Sequence, residues 1–122
     1  MSGANKILVD TNLIILAIAG NQKARALLEG NTLFISIITE IELLSIPFAS
    51  IQEEKLMIDF ISHCNVIGLD NEVKRQAIPL RKKIKVKLPD AIIAASSLSK
   101  KIPLFTADKG FSKIQELSLV LF

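Results

Sequence analysis

Four acidic residues, each beside an apolar run, are the most informative feature of this sequence. They are Asp10 in KILVDTN, Glu42 in SIITEIELL, Asp90 in KLPDAIIAAS and Asp108 in LFTADKGF. A carboxylate next to buried apolar surface is unfavourable unless it is compensated, because burial disfavours the charged form. A hard divalent cation compensates it, and a few carboxylates plus water are the usual ligands of Mg²⁺ or Mn²⁺. The set therefore points to metal-assisted phosphodiester chemistry.

Each acid also has a purely structural interpretation. Asp10 suits the N-cap of a following helix, and Asp90 suits a first helical turn, where a negative charge meets the positive end of the dipole. Glu42, like Glu40, suits the solvent-facing side of an amphipathic helix, and Asp108 suits a turn. The functional interpretation depends on the four acids as a set.

The elements that must position these acids alternate short apolar strands with amphipathic helices. This pattern predicts an α/β fold with a mostly parallel central sheet flanked by helices. Strands are predicted over 6–9, 32–36, 65–69, 103–106 and 119–122. Helices are predicted over 12–19, 51–62 and 71–84, and another between the break at Gly20-Asn21 and Glu29. A further helix follows the second strand, one begins at Pro89 and continues over 91–98, and 108–117 forms a loop and a short helix. Pro79 is expected to interrupt and kink its helix, and Pro47 to end or bend the helix that carries Glu42.

Ligands of open α/β sheets gather at the carboxyl ends of the strands. Asp10 and Asp108 each follow a predicted strand, Asp90 opens a helix, and Glu42 lies about two turns into one. All four side chains are therefore expected to face one crevice.

Length and composition limit the architecture without choosing a function. The 122 residues and 13.4 kDa predict one domain, 1–122. Half of the residues are hydrophobic and the mean hydropathy is +0.45, which suggests apolar surface for a partner, with helices over 13–28 and 51–61 as candidates.

The longest apolar run, 13–19, is too short for a membrane span. Since no secretion signal is apparent either, we expect a cytoplasmic protein.

Basic residues are concentrated just before Asp90, although the formal net charge is only +3. Such a cluster can hold phosphates, and a solvated helix face is the alternative. The basic cluster consists of Lys74, Arg75, Arg81, Lys82, Lys83, Lys85 and Lys87.

Cys64 is the only cysteine, which excludes an intrachain disulfide and a cysteine-based zinc site. The single histidine, His63, fits a structural role near a helix end better than catalysis.

In order and spacing, the four acidic runs resemble the PIN-domain ribonucleases, and especially VapC-type toxins of type II toxin–antitoxin systems. The resemblance rests on LVDTN, ITEIEL, LPDAIIAAS and TADKGF and covers essentially the whole chain. The family's Thr-x-x-Glu-Leu pattern, here Thr39 to Leu43, selects Glu42 over Glu40. Many relatives carry a further acidic residue where this chain has Gly110, which leaves open whether one or two metal ions bind.

The resemblance implies a PIN-like three-layer fold and a Mg²⁺- or Mn²⁺-dependent endoribonuclease that cleaves RNA phosphodiester bonds with metal-activated water. It also implies a homodimer and inhibition by a cognate antitoxin protein. The implied catalytic and metal-binding residues are Asp10, Glu42, Asp90 and Asp108. Residues expected to orient them are Asn12, Thr106, Ser36 and Thr39. Candidate RNA-binding residues are Arg81, Lys82, Lys83, Lys85 and Lys87.

Two alternatives remain at the level of sequence. A haloacid-dehalogenase-like phosphatase also begins with an Asp after its first strand, but it needs a second Asp where Asn12 stands. A PIN-like module without catalytic activity could instead bind RNA or a protein. Metal dependence of any RNA cleavage distinguishes that module from the nuclease.

Overall fold

A parallel sheet of five strands forms the centre of the molecule. The structure is a computed structural model, and it describes residues 5–122. All four strand pairings are parallel. The strands are β1 (Lys6–Val9), β2 (Thr32–Ser36), β3 (Asn65–Ile67), β4 (Leu104–Thr106) and β5 (Leu119–Leu121). They lie in the sheet in the order β3-β2-β1-β4-β5. The helices are α1 (Thr11–Ile18), α2 (Gln22–Leu28), α3 (Ile37–Leu44), α4 (Ile51–Ser62), α5 (Asn71–Lys83), α6 (Leu88–Lys100) and a 3₁₀ helix (Lys109–Lys113).

The central strand β1 supplies side chains to both faces of the sheet. Successive residues of a strand point to opposite faces. Leu8 packs in a cluster with residues of α5 and α6. Ile7 and Val9 pack in a second cluster with residues of α1, α2 and α4. Because β1 is apolar on both faces, the sheet is covered on both, and the predicted three-layer α/β fold is confirmed.

Polar side chains begin most of the helices. Asp10, Asn21, Ser50 and Asp70 each accept a hydrogen bond from a backbone N–H three residues later. Such caps satisfy N–H groups that have no partner within the helix. In α6 the first turn contains Pro89 instead, whose missing N–H would have been unpaired there.

The structure differs from the prediction at Pro79 and at the end of β3. The helix α5 is continuous from Asn71 to Lys83, so Pro79 does not interrupt it, and a kink there stays a prediction. Val73, Ala77 and Leu80 are its buried residues, whereas Pro79 is exposed. The strand β3 ends at Ile67, two residues before the predicted end, since Gly68 and Leu69 are exposed and unpaired with β2. The helix carrying Glu42 ends at Leu44, before Pro47 is reached.

His63 is the C-cap residue of α4 and is exposed, as expected for a residue at a helix end. Over residues 5–122, no helix has both the length and the apolar character needed to cross a membrane.

Candidate active site

The strand order fixes where a site can form. The chain continues from β1 to β2 on one side, and it later returns to place β4 on the other side of β1. The carboxyl ends of β1 and β4 therefore lie at the point where the strand order reverses, which is where open α/β sheets bind ligands. Asp10 directly follows β1, and its backbone N–H donates to the carbonyl of Phe105 in β4 over 3.0 Å.

Asp10 is held at this point from two directions. Its Oδ1 accepts from the backbone N–H of Leu13 over 2.9 Å, which caps α1. Its Oδ2 accepts a hydrogen bond from the hydroxyl of Thr106, the last residue of β4. Only 3% of Asp10 is exposed, and this burial raises the pKa of its carboxyl, against the lowering effect of the Thr106 and Leu13 hydrogen bonds. The nearby charge of Asp108 raises the pKa of Asp10 further.

Thr106 also determines the position of Asp108. Its Oγ1 accepts from the backbone N–H of Asp108 over 2.9 Å, so one buried hydroxyl contacts both Asp10 and the chain that carries Asp108. The Oδ1 of Asp108 accepts from the backbone N–H of Gly110 over 2.8 Å and caps the 3₁₀ helix. The turn predicted for TADKGF is therefore present, and it presents a carboxylate beside Asp10.

Glu42 reaches the same place from α3, which follows β2. The hydroxyl of Thr11 donates to Oε1 of Glu42 over 2.5 Å and lies within hydrogen-bond distance, 3.1 Å, of the Thr39 hydroxyl. Glu42 itself is exposed, whereas Thr39 is buried. The first turn of α1 thereby orients an acid that belongs to another helix.

Asp90 is the fourth acid, and it lies in the first turn of α6. Burial raises the pKa of its carboxyl, and the charges of Asp108 and Glu42 raise it further. Lys87 and Lys113 act in the opposite direction. The carboxyl of Asp90 therefore lies in the electrostatic field of two of the other three acids.

The four acids line a single cleft of about 110 Å³. Within residues 5–122, the ion pairs are Arg75 with Glu72 and Lys100 with Asp70, so none of the four cleft acids is paired with a cationic side chain. Unpaired carboxylates in one cleft are the donor set that suits Mg²⁺ or Mn²⁺. The lining residues are Asp10, Thr11, Asn12, Glu42, Asp90, Ile93, Asp108 and Phe111.

The carboxylates do not yet converge on one point. No three Asp, Glu, His or Cys side chains of residues 5–122 are arranged to hold a metal ion together. Asp10, Glu42 and Asp108 each accept hydrogen bonds from the protein instead. A carboxylate has about four lone-pair sites, so these bonds leave acceptor capacity for a cation. The type of the donors, carboxylate oxygen in all four acids, fits a hard divalent ion.

The structure assigns different positions to the polar residues predicted around the acids. Asn12 lines the cleft, Thr106 contacts Asp10, and Thr39 contacts Thr11. Ser36 differs, since it is buried and caps α3 by accepting from the N–H of Ile38 over 3.1 Å. Among the hydrogen bonds of residues 5–122, Ser36 makes none to a cleft acid. Thr11 was missed by sequence reasoning, although its place directly after Asp10 was an available signal.

The predicted basic cluster is divided between different surfaces. Arg81, Lys85 and Lys87 line a cleft beside the acidic one, together with Lys113, which the sequence did not single out. Lys82 lines another cleft with Ile78 and Leu88, and Lys83 lines neither. Proximity along the chain was therefore a poor guide to proximity in space.

Comparison with known proteins extends over nearly the whole chain. The family model that matches is described as "PIN domain" and covers residues 7–117. No curated protein matches. A toxin–antitoxin complex from Klebsiella pneumoniae contains a chain 30% identical to this one, with a TM-score of 0.82 and coverage of 93% of this chain and 95% of that chain.

Two more distant structures share the fold. VapBC2 from Rickettsia felis, bound to a promoter DNA fragment, is 22% identical with a TM-score of 0.82, and the match covers 95% of this chain and 98% of that chain. DNA-bound VapBC from Salmonella typhimurium is 23% identical with a TM-score of 0.82, covering 95% of this chain and 97% of that chain.

Proposed function

Because this chain belongs to the PIN domain family, as its four acidic runs predicted, we propose that it is a metal-dependent endoribonuclease acting as the toxin of a toxin–antitoxin pair. The family implies nuclease activity. The proposed substrate is RNA, the proposed cofactor is Mg²⁺ or Mn²⁺, and the proposed partner is a cognate antitoxin protein. Family membership also replaces the haloacid-dehalogenase-like interpretation.

One observation carries the proposal. Carboxylates from four separate segments line one cleft at the reversal point of the sheet, and none has a cationic side-chain partner within residues 5–122. Like charges that line one cleft repel one another, so the arrangement is unfavourable in the protein alone. A site that is unfavourable until a cation binds is expected of a functional site rather than of a structural one.

Each residue of the site has a separate proposed role. Asp10, Glu42, Asp90 and Asp108 would hold the cation. When bound, a divalent cation lowers the pKa of a coordinated water molecule and neutralises charge on the phosphoryl oxygens. Thr106 fixes the orientation of Asp10, and Thr11 that of Glu42. The nucleophile in this proposal is water, with Asp90 or Asp108 orienting it.

The proposed antitoxin needs a surface of its own. An apolar cleft of about 580 Å³ lies between α1, α2 and α4. Ala17, Ile18, Leu28 and Phe60 supply its apolar lining, and Arg25 and Glu29 lie on it as charged residues. These are the helices predicted from the sequence as partner surfaces. We propose this cleft for the antitoxin, because an amphipathic segment would bury its apolar residues there.

The test is cleavage of structured and single-stranded RNAs by the purified protein in Mg²⁺, in Mn²⁺ and in EDTA. Glu42→Gln should abolish the metal-dependent cleavage. Glu40→Gln is the matched control, since Glu40 lies on the same helix but outside the cleft, and it should cleave like the parent. Equal effects of the two substitutions would contradict the assignment of Glu42.

The outcome also decides between the nuclease and its alternative. Absence of cleavage of every RNA, together with no Mn²⁺ binding by calorimetry, would favour a PIN-like binding module without catalysis. The proposed homodimer is tested separately, by light scattering during gel filtration. A cytoplasmic location and a single domain over 1–122 complete the proposal.

A further inference from the structure

Residues 84–87, called here the connecting segment, join α5 to α6. Asp90 lies in the first turn of α6, so the position of this segment determines where the Asp90 carboxylate lies in the cleft. The cap position of α6 is Lys87, and its side chain makes no cap hydrogen bond. Contacts other than a side-chain cap therefore fix the start of α6.

The other three acids differ from Asp90 in this respect. Asp10 and Asp108 each cap the helix that follows them. Ser36 caps the helix that carries Glu42. A side-chain cap fixes the first turn of a helix, because it satisfies an N–H group that has no partner within the helix. In α6 this role falls to another kind of contact.

Two cationic side chains hold the connecting segment, and they come from two different elements. The guanidinium of Arg81, near the end of α5, donates to the carbonyl of Val86 over 2.9 Å. The ammonium of Lys113, the last residue of the 3₁₀ helix, donates to the carbonyl of Lys85 over 2.6 Å. Hydrogen bonds from charged donors are stronger than those between neutral groups. Since Val86 is also buried, two consecutive residues of the connecting segment are fixed.

The bond from Lys113 also links the segments that carry two of the acids. Asp108 is the N-cap of the 3₁₀ helix that ends at Lys113. Lys85 belongs to the connecting segment, which leads to Asp90. Because the bond joins residues 28 positions apart in sequence, it couples the turn of Asp108 to the start of α6. The charge of Asp108 raises the pKa of Asp90, which agrees with their proximity.

We propose that Arg81 and Lys113 are positioning residues, which place the Asp90 carboxylate relative to Asp108 by holding the connecting segment. This inference rests on the proposed metal-dependent function. Contacts that orient a metal ligand strengthen metal binding. The charge of Lys113 acts in the opposite direction, since a cation beside the carboxylates disfavours the binding of a second cation.

These two effects of Lys113 have opposite signs, so a neighbouring lysine can separate them. The charges of Lys87 and Lys113 both lower the pKa of the Asp90 carboxyl. Among the hydrogen bonds of residues 5–122, the Lys87 side chain makes none, whereas that of Lys113 holds Lys85. Lys87→Met therefore removes charge alone, and Lys113→Met removes the same charge together with the hydrogen bond.

The first experiment is calorimetry of Mn²⁺ binding to the full chain, with no RNA present. Lys113→Met should weaken Mn²⁺ binding by about tenfold. Lys87→Met should bind Mn²⁺ as tightly as the parent protein or more tightly. Lys113→Arg keeps the charge and the N–H donors and should stay within about threefold of the parent. Undiminished Mn²⁺ binding by Lys113→Met, or equal losses in Lys113→Met and Lys113→Arg, would overturn the inference.

Hydrogen exchange of the Ala91 amide tests the same contacts without metal. This N–H donates to the carbonyl of Lys87 over 2.9 Å at the start of α6. In EDTA it should exchange faster in Lys113→Met than in the parent, by about threefold or more, because a less constrained first turn opens more often. Arg81→Met breaks the other bond and should have the same effect, which keeps the test valid if Lys113→Met does not fold.

The two measurements distinguish a failure of this inference from a failure of the proposed function. Parental exchange rates at Ala91 in both variants would contradict the positioning role of Arg81 and Lys113. Absence of Mn²⁺ binding by the parent protein, together with faster exchange in both variants, would refute the proposed metal-dependent function while supporting the hold on the connecting segment.

Discussion

The hydroxyl of Thr11 donates a 2.5 Å hydrogen bond to Oε1 of Glu42 across 31 residues of sequence. This bond joins α1, which follows β1, to α3, which follows β2. Since β1 and β2 are paired in parallel, their following helices begin at the same edge of the sheet. One hydroxyl thus sets the direction of an exposed carboxylate at the cleft.

Thr11→Val should weaken Mn²⁺ binding and cleavage by about tenfold, because outer contacts that orient metal ligands usually contribute 10–100-fold, roughly, to affinity or activity. Valine keeps the shape but cannot donate to Glu42. Thr11→Ser restores a hydroxyl and should restore most of both properties. Calorimetry with Mn²⁺ provides a measurement that does not depend on catalysis. If the Thr11→Val variant binds Mn²⁺ as tightly as the parent protein, Thr11 does not position Glu42.

Asp10 combines a structural and a proposed catalytic role, which two substitutions separate. Asp10→Asn keeps an oxygen for the N–H of Leu13 and should fold with near-parental stability, but it should lose cleavage. Asp10→Ala removes the cap and leaves the Thr106 hydroxyl without its acceptor, so it should cost about 1–2 kcal/mol of unfolding free energy. Urea unfolding measures the stability of both variants, and an RNA cleavage assay measures their activity. Full cleavage by the asparagine variant would reject the catalytic role.

The electrostatic repulsion at Asp90 should make the stability of the metal-free protein depend on pH. Because the folded state raises the pKa of Asp90 above 3.8, the folded protein binds more protons, and stability falls as the pH rises through the raised value. Asp90→Asn lacks this penalty. The variant should therefore gain stability relative to the parent as the pH increases from 3.8 towards neutrality, and the difference should shrink at lower pH.

Thermal unfolding of both proteins in EDTA measures that difference directly. Comparing variant with parent cancels groups such as Asp70, whose pKa is lowered by its hydrogen bond with the N–H of Val73 and which acts in the opposite sense. A constant difference at all pH values would show that Asp90 carries no electrostatic penalty.

Gly110 limits the space around Asp108. A Cβ at Gly110 would lie 3.0 Å from Oδ1 of Asp108, so Gly110→Ala should displace that carboxylate. We expect Mn²⁺ affinity to fall by about tenfold with little change in stability. Gly68→Ala is the matched control, because nothing lies within 4 Å of its added Cβ. Equal Mn²⁺ affinity in the two variants would mean that the placement of Asp108 is unimportant for the metal.

Pro79→Ala should stabilise the protein. Pro79 lies inside α5 on its exposed side, where proline removes a helical hydrogen bond without contributing a buried side chain. Proline is about 3 kcal/mol less favourable than alanine inside a helix, and we expect a gain of about 1–3 kcal/mol in urea unfolding. A loss of stability would indicate that the helix depends on the proline.

Much of the fold followed from local patterns of apolar residues. The bounds predicted for β1, β2 and α4 agree with the structure residue for residue, because each begins or ends beside a clear change from apolar to polar residues. The predicted interruption of the helix at Pro79 and the predicted end of β3 were wrong. In α5, packing against α6 outweighs the local preference of proline. In β3, pairing with β2 stops at Ile67, which no local pattern indicates.

By itself, the sequence determined the chemical type of the site, since carboxylates beside apolar runs are readable as residue types and spacings. Tertiary structure alone decided which polar groups support them. Thr11 reaches Glu42 only because β1 and β2 are adjacent, and Lys113 joins the basic cleft only because its ammonium meets the carbonyl of Lys85. Hydrogen bonds act over about 3 Å, so contacts between distant segments depend on chain packing that sequence spacing does not report.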